Sequence, residues 1–142
     1  MTHAIMTLNY LAVAVVAVGS FLFGWLWYSP VLFARPWMAE MKFTKETFAA
    51  AKPRMAWYFS IGFLYTLLST FGLAVLIRAK CNGFDNWIRG AQFGLFVGIF
   101  VVGVRLLNGG LWERRSLKLQ AITVGHELVL FAVQGAILST WD

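Results

Sequence analysis

The chain is poor in charge, in acid and in cysteine. Of its 142 residues 13% are Asp, Glu, Lys or Arg, and only 6 are acidic. A soluble domain of this size wraps itself in charged side chains, so an all-round aqueous surface is excluded. The lone cysteine, Cys81, excludes an intrachain disulfide and a cysteine metal cluster, and reads as an inert loop thiol. Proline occurs only at Pro30, Pro36 and Pro53, which leaves long stretches without a helix breaker. Catalytic motifs are also missing. There is no phosphate-binding loop, no Rossmann glycine pattern, no HExxH and no GxSxG. No nucleophile-and-base set can be assembled. Neither a metal site nor a cofactor is expected.

What fills the chain instead is apolar. Hydrophobic residues make up 60% of it and the mean hydropathy is +0.71. A bilayer span needs about 20 apolar residues. The runs predict spans at about residues 8–28, 55–77, 87–107 and 119–141. The fold class is therefore all-α and membrane-integral. We expect one domain, a compact bundle of four transmembrane helices with a short interfacial helical segment after the first span. Residues 1–7 carry no Lys or Arg, so an uncleaved first helix is expected rather than a secretory signal.

Aromatic and basic residues mark the boundaries. Trp25, Trp27 and Tyr28 arrive together where the first apolar run stops, and Pro30 ends the helix. Trp37, Trp57 and Trp112 are expected as headgroup anchors on the same side, and Trp87 and Trp141 on the other. Pro36 fits the first position of a short helix, Thr44 an N-cap, and Pro53 closes the segment. Arg35, Lys42, Lys45, Lys52, Arg54, Arg114, Arg115 and Lys118 fall in the first and third loops. Basic loops stay in the cytoplasm, so loops 31–54 and 108–118 are placed there and both termini outward. The net charge of +6 thus serves orientation. Basic and aromatic residues do not alternate as on a nucleic-acid platform, so the expected partner is the lipid bilayer and not nucleic acid.

Small residues predict close packing. Gly90, Gly94 and Gly98 stand four apart in the third span and line one helical row. Ser20 and Gly24 form a similar pair in the first. Such rows serve a helix of the same chain or of another, so a homo-oligomer or a subunit of a membrane complex is expected.

The last span holds the one unusual group, His126-Glu127, near its middle. A charge at that depth costs at least about 2.5–3.5 kcal/mol. Gln120, Thr123, Glu127 and Gln134 recur at helical spacing and share a face that should point into the bundle. Ser20 and Thr66 fall near the depth of Glu127. Apart from Arg89 at the very start of the third span, Arg105 is the only cation inside a span, and it can pair with Glu127 only by reaching inward. Neighbours on a helix project about 100° apart, which argues against His126 and Glu127 acting on one atom.

Trp27-Tyr28-Ser29-Pro30 with Leu32-Phe33 and Trp37, the loop from Leu107-Asn108 to Lys118-Leu119, and Gly125-His126-Glu127 together resemble a family of small bacterial membrane proteins, domain of unknown function 1761. The resemblance implies a four-helix inner-membrane protein. It brings no reaction, cofactor or catalytic residue. The preferred reading is a structural or interaction protein. A small proton-coupled transporter using Glu127 is the alternative, and a membrane enzyme using His126 the third.

Overall fold

A computed structural model describes residues 2–81 and 86–141, with Cys81 by its backbone alone. The Asn82-Gly83 turn and the Cys81 thiol lie outside the described residues. The chain forms α1 (Thr2–Met6), α2 (Tyr10–Trp27), α3 (Ala34–Glu40), α4 (Lys45–Ala51), α5 (Met55–Cys81), α6 (Trp87–Val97), α7 (Val104–Trp112) and α8 (Leu117–Thr140). Four stretches are long and apolar enough to cross a bilayer: Tyr10–Trp27, Lys45–Lys80, Trp87–Trp112 and Leu117–Thr140. They pack as a helical bundle.

The boundaries differ from expectation in three places. First, α4 does not lie apart as a surface helix. It is capped by Thr44, whose hydroxyl accepts from the Thr47 amide at 3.3 Å, and it runs into α5 through a 3-10 turn at Lys52–Arg54. Pro53 sits inside that turn, where a missing N–H costs little, and so it does not close the segment. Pro36, likewise, stands at the third residue of α3 rather than its first. Second, the third span continues through Asn108-Gly109-Gly110 to Trp112. Gly110 faces Gln120 so closely that a Cβ there would meet its side-chain amide, so this glycine serves packing rather than a turn, whereas Gly109 has open space beside it. Third, a π-helical turn at Gly98–Gly103 joins α6 to α7. A Cβ on Gly103 would lie 3.0 Å from the Gly98 carbonyl, so this wider turn leaves little room for a side chain there.

Two helices stop on a basic residue in the left-handed region. Lys42 has φ 52° and Arg114 φ 54°. After each the chain folds back, with the Phe43 amide donating to the Met38 carbonyl and the Arg115 amide to that of Gly110, both at 2.9 Å. The reversal at Arg114 leads into Ser116. Its hydroxyl caps α8 by accepting from the Leu119 amide at 3.1 Å, and it donates to the Glu40 carboxylate. That bond ties the end of α3 to the start of α8.

The tightest pair is α6 with α8. Methyl groups on Gly90 or Gly94 would overlap backbone of α8 at Gly135 and Phe131. Gly98 is looser, with 3.2 Å to the Phe131 Cβ. The glycine row is thus filled by a helix of the same chain, and Gly135 supplies the opposing notch. Leu73, Ile77 and Phe131 form the apolar centre beside it, with Phe93, Val97 and Leu138 packed around them.

Candidate functional site

Polar side chains in this bundle fall into two groups. The deeper one is centred on Gln134, which is 1% exposed. Its amide donates to the Ser20 hydroxyl at 2.8 Å and to the Thr70 hydroxyl at 2.9 Å. Ser20 and Thr70 in turn donate to the carbonyls of Val16 and Thr66, one turn back in their own helices. Each hydroxyl is therefore both donor and acceptor, and α2, α5 and α8 are bonded at one point. The expected interhelical network exists, but Gln134 is its hub and Glu127 has no part in it. Ser20 belongs here, two turns along α8 from the depth assigned to it. Thr123 bonds back to the Leu119 carbonyl at 3.0 Å, and Gln120 donates to that of Arg115. Arg105 is exposed on α7 and does not pair with Glu127.

The second group is His126 and Glu127. The His126 Nδ1 and the Glu127 Oε1 lie 3.0 Å apart. The projection angles argued against the two acting on one common atom; here they meet each other instead, the Glu127 carboxylate reaching the ring of its neighbour. The imidazole is boxed in by rings. It stacks on Phe23 at 5.5 Å and meets Trp27 edge-on at 5.8 Å and Tyr28 at 5.4 Å. The ring lies beside Gly24 of α2, where a methyl group would meet the His126 Nε2 at an ordinary contact distance of 3.4 Å. What approaches Gly24 is thus a ring and not a backbone. The Nε2 itself is buried and has no hydrogen-bond partner among the described residues. Tyr28 completes the surroundings, close to Thr123 and within the field of the Glu127 carboxylate.

Two of the expected headgroup anchors turn inward to build this box. Trp27 donates its indole N–H to the Ile122 carbonyl of α8 at 3.2 Å and packs on Phe33. Tyr28 packs on Trp37, which is itself half-buried. Trp25, Trp57, Trp87, Trp112 and Trp141 are exposed.

The pair opens onto a cleft of about 850 Å³ between α2, α5 and α8, bordered by α3 and α4. The contacts of α5 with α8 described above lie at or beyond Thr70. Before that point α5 lines the cleft, from Met55 to Ser69. At 1.5 Å per residue this wall is roughly 21 Å long, most of the way through a hydrocarbon layer of about 30 Å. Trp25, Tyr28, Trp37, Phe59 and Tyr65 make it strongly aromatic. The sequence carries no periodic signal for the cleft, because it arises where α5 leaves α8.

Four apolar helices closed around buried polar contacts, with no candidate metal cluster among the described residues, define a polytopic helical membrane protein. Over residues 11–139 the chain matches the family described as Protein of unknown function (DUF1761), and it belongs to that family. No curated protein and no solved structure matches it.

Proposed function

We propose that the protein binds a hydrophobic small molecule from within the bilayer, in the cleft between α2, α5 and α8. One observation carries the reading: a cleft walled by aromatic rings has the His126–Glu127 pair in its lining, and the Glu127 side chain is 25% exposed, so a ligand in the cleft can reach a polar group there. The volume falls in the range of small-molecule sites, about 300–1,000 Å³.

Transport with Glu127 as proton carrier is the second reading. It draws on the same cleft, since Glu127 lines it and its side chain is 25% exposed. Self-association, or membership of a larger membrane complex, drew on the glycine row. With that row packed against α8, it lends those readings no support. We also place the protein in a bacterial inner membrane, loops 31–54 and 108–118 facing the cytoplasm, on the strength of their basic residues.

The test is photolabelling. A hydrophobic diazirine probe is added to the protein in nanodiscs and the labelled peptides are mapped. Labelling should saturate on residues 55–69 and fall when Gly62→Trp fills the cleft. Labelling spread evenly over the outer helix faces, unchanged by Gly62→Trp, would overturn the reading.

A further inference from the structure

We propose that the ligand of this cleft is a lipophilic monocation, such as a tetra-substituted phosphonium or ammonium, held by Glu127. The inference rests on the cleft being a binding site and names the chemistry that the site selects.

Charge decides first. Among the described residues Glu127 is the only acidic one lining the cleft, and no Lys or Arg lines it. The carboxylate makes one contact, to His126, and has room for more, since a carboxylate offers about four lone-pair sites. An anionic amphiphile would meet this group unneutralised. A lipid acyl chain would fill the space without using it. A cation is the ligand class that Glu127 favours.

The walls point the same way. Trp25, Tyr28, Trp37 and Tyr65 face the cleft with indole and phenol rings, whose π-faces attract a cation most strongly when it is stripped of water. A hydrated ammonium such as that of a small amine would give up a full water shell for the few acceptors of a mostly apolar wall. A cation whose charge is already wrapped in apolar groups loses little. The cleft is also long enough for several rings in a row.

The basic residues of the α3–α4 segment act against this preference, but weakly. Arg35, Lys45, Lys52 and Arg54 are exposed and none lines the cleft. Surface charges are screened within about 8 Å at physiological ionic strength. Glu127 lies deeper, where screening is poorer, and dominates at the bound position.

The experiment uses the full chain in detergent and three probes of similar size: tetraphenylphosphonium, tetraphenylborate and neutral triphenylphosphine oxide. Binding is followed by tryptophan fluorescence and equilibrium dialysis. The cation should bind at least tenfold more tightly than either of the others. Glu127→Gln should remove that advantage and leave the neutral probe unchanged, while Glu127→Asp should keep most of it. Circular dichroism and gel filtration confirm that each variant is folded. Equal binding of the three probes, or a cation preference that survives Glu127→Gln, overturns the cation assignment and leaves the cleft as a site. Absence of any saturable binding that Gly62→Trp abolishes overturns both.

Discussion

Gly94 rests on the Phe131 carbonyl so closely that not even a methyl group fits between them. The neighbour is backbone, which cannot swing aside as a flexible side chain would. Gly94→Leu should therefore separate α6 from α8 and destabilise the protein by several kcal/mol, toward the upper end of overpacking costs at about 1–3 kcal/mol or more. Gly98→Ala is the control. Its nearest neighbour is the Phe131 Cβ at 3.2 Å, so it should cost far less. Thermal melts in detergent compare the two. Equal melting temperatures for Gly94→Leu and the natural chain would show that α6 does not pack on α8 as described.

Gln134 allows a finer prediction. It makes two hydrogen bonds, and interhelical hydrogen bonds in membranes average about 0.6 kcal/mol. Its own carbonyl oxygen is buried without a partner among the described residues. Gln134→Met keeps the volume and removes both the bonds and that unpaired oxygen, so the two effects oppose. A loss of no more than about 1 kcal/mol is expected. Gln134→Ala adds a cavity and should cost about 2–3 kcal/mol more. Chemical or thermal unfolding of the pair measures the difference; if Gln134→Met is the more damaging, hydrogen bonding outweighs packing at this point.

These sites differ in how far residue order reveals them. Hydropathy marks the four spans because each must be apolar over its whole length. The row of Gly90, Gly94 and Gly98 is visible because all three lie in one helix at one spacing. Gly135, which receives it, stands alone in α8 and gives no pattern. The continuation through Asn108-Gly109-Gly110 is hidden for the opposite reason. That tripeptide favours a turn locally, yet it is helical here, with Gly110 against the Gln120 side chain ten residues further on. His126 and Glu127 stand out as polar residues in an apolar run, yet their contact depends on side-chain torsions. The division of labour between Gln134 and Glu127 depends on where α2 and α5 cross α8, which no local spacing encodes.

Orientation can be tested directly. Cysteines are placed at Lys45 and at Arg115 in a chain whose Cys81 is retained. In intact cells an impermeant thiol reagent should label Cys81 and spare both introduced residues. Lysed cells should label all three. The reverse pattern in intact cells would invert the map and put the basic loops outside, against the usual retention of Lys and Arg in the cytoplasm.

Glu127 and His126 support the last prediction, which separates a structural role from a functional one. Glu127→Gln keeps a neutral hydrogen-bonding group of the same length beside the His126 Nδ1, and it cannot release a proton. Glu127→Leu leaves the imidazole with neither nitrogen bonded among the described residues, since its Nε2 already has no partner there. A buried polar group stranded in this way costs about 1–3 kcal/mol. Gln should therefore be nearly as stable as the natural chain and Leu less stable. The rings around His126 offer a check on the cause. Phe23, Trp27 and Tyr28 would receive a phenyl ring as readily as an imidazole. Adding His126→Phe to Glu127→Leu removes the stranded nitrogens, so the double variant should recover much of the stability lost by Glu127→Leu alone. Additive losses would mean that the two side chains do not interact, and that the Glu127 substitution acts through packing. Proton flux in vesicles supplies the other half. If Glu127 carries protons, Glu127→Gln should be folded and inactive; if wild-type vesicles show no flux above empty liposomes, the transport reading fails.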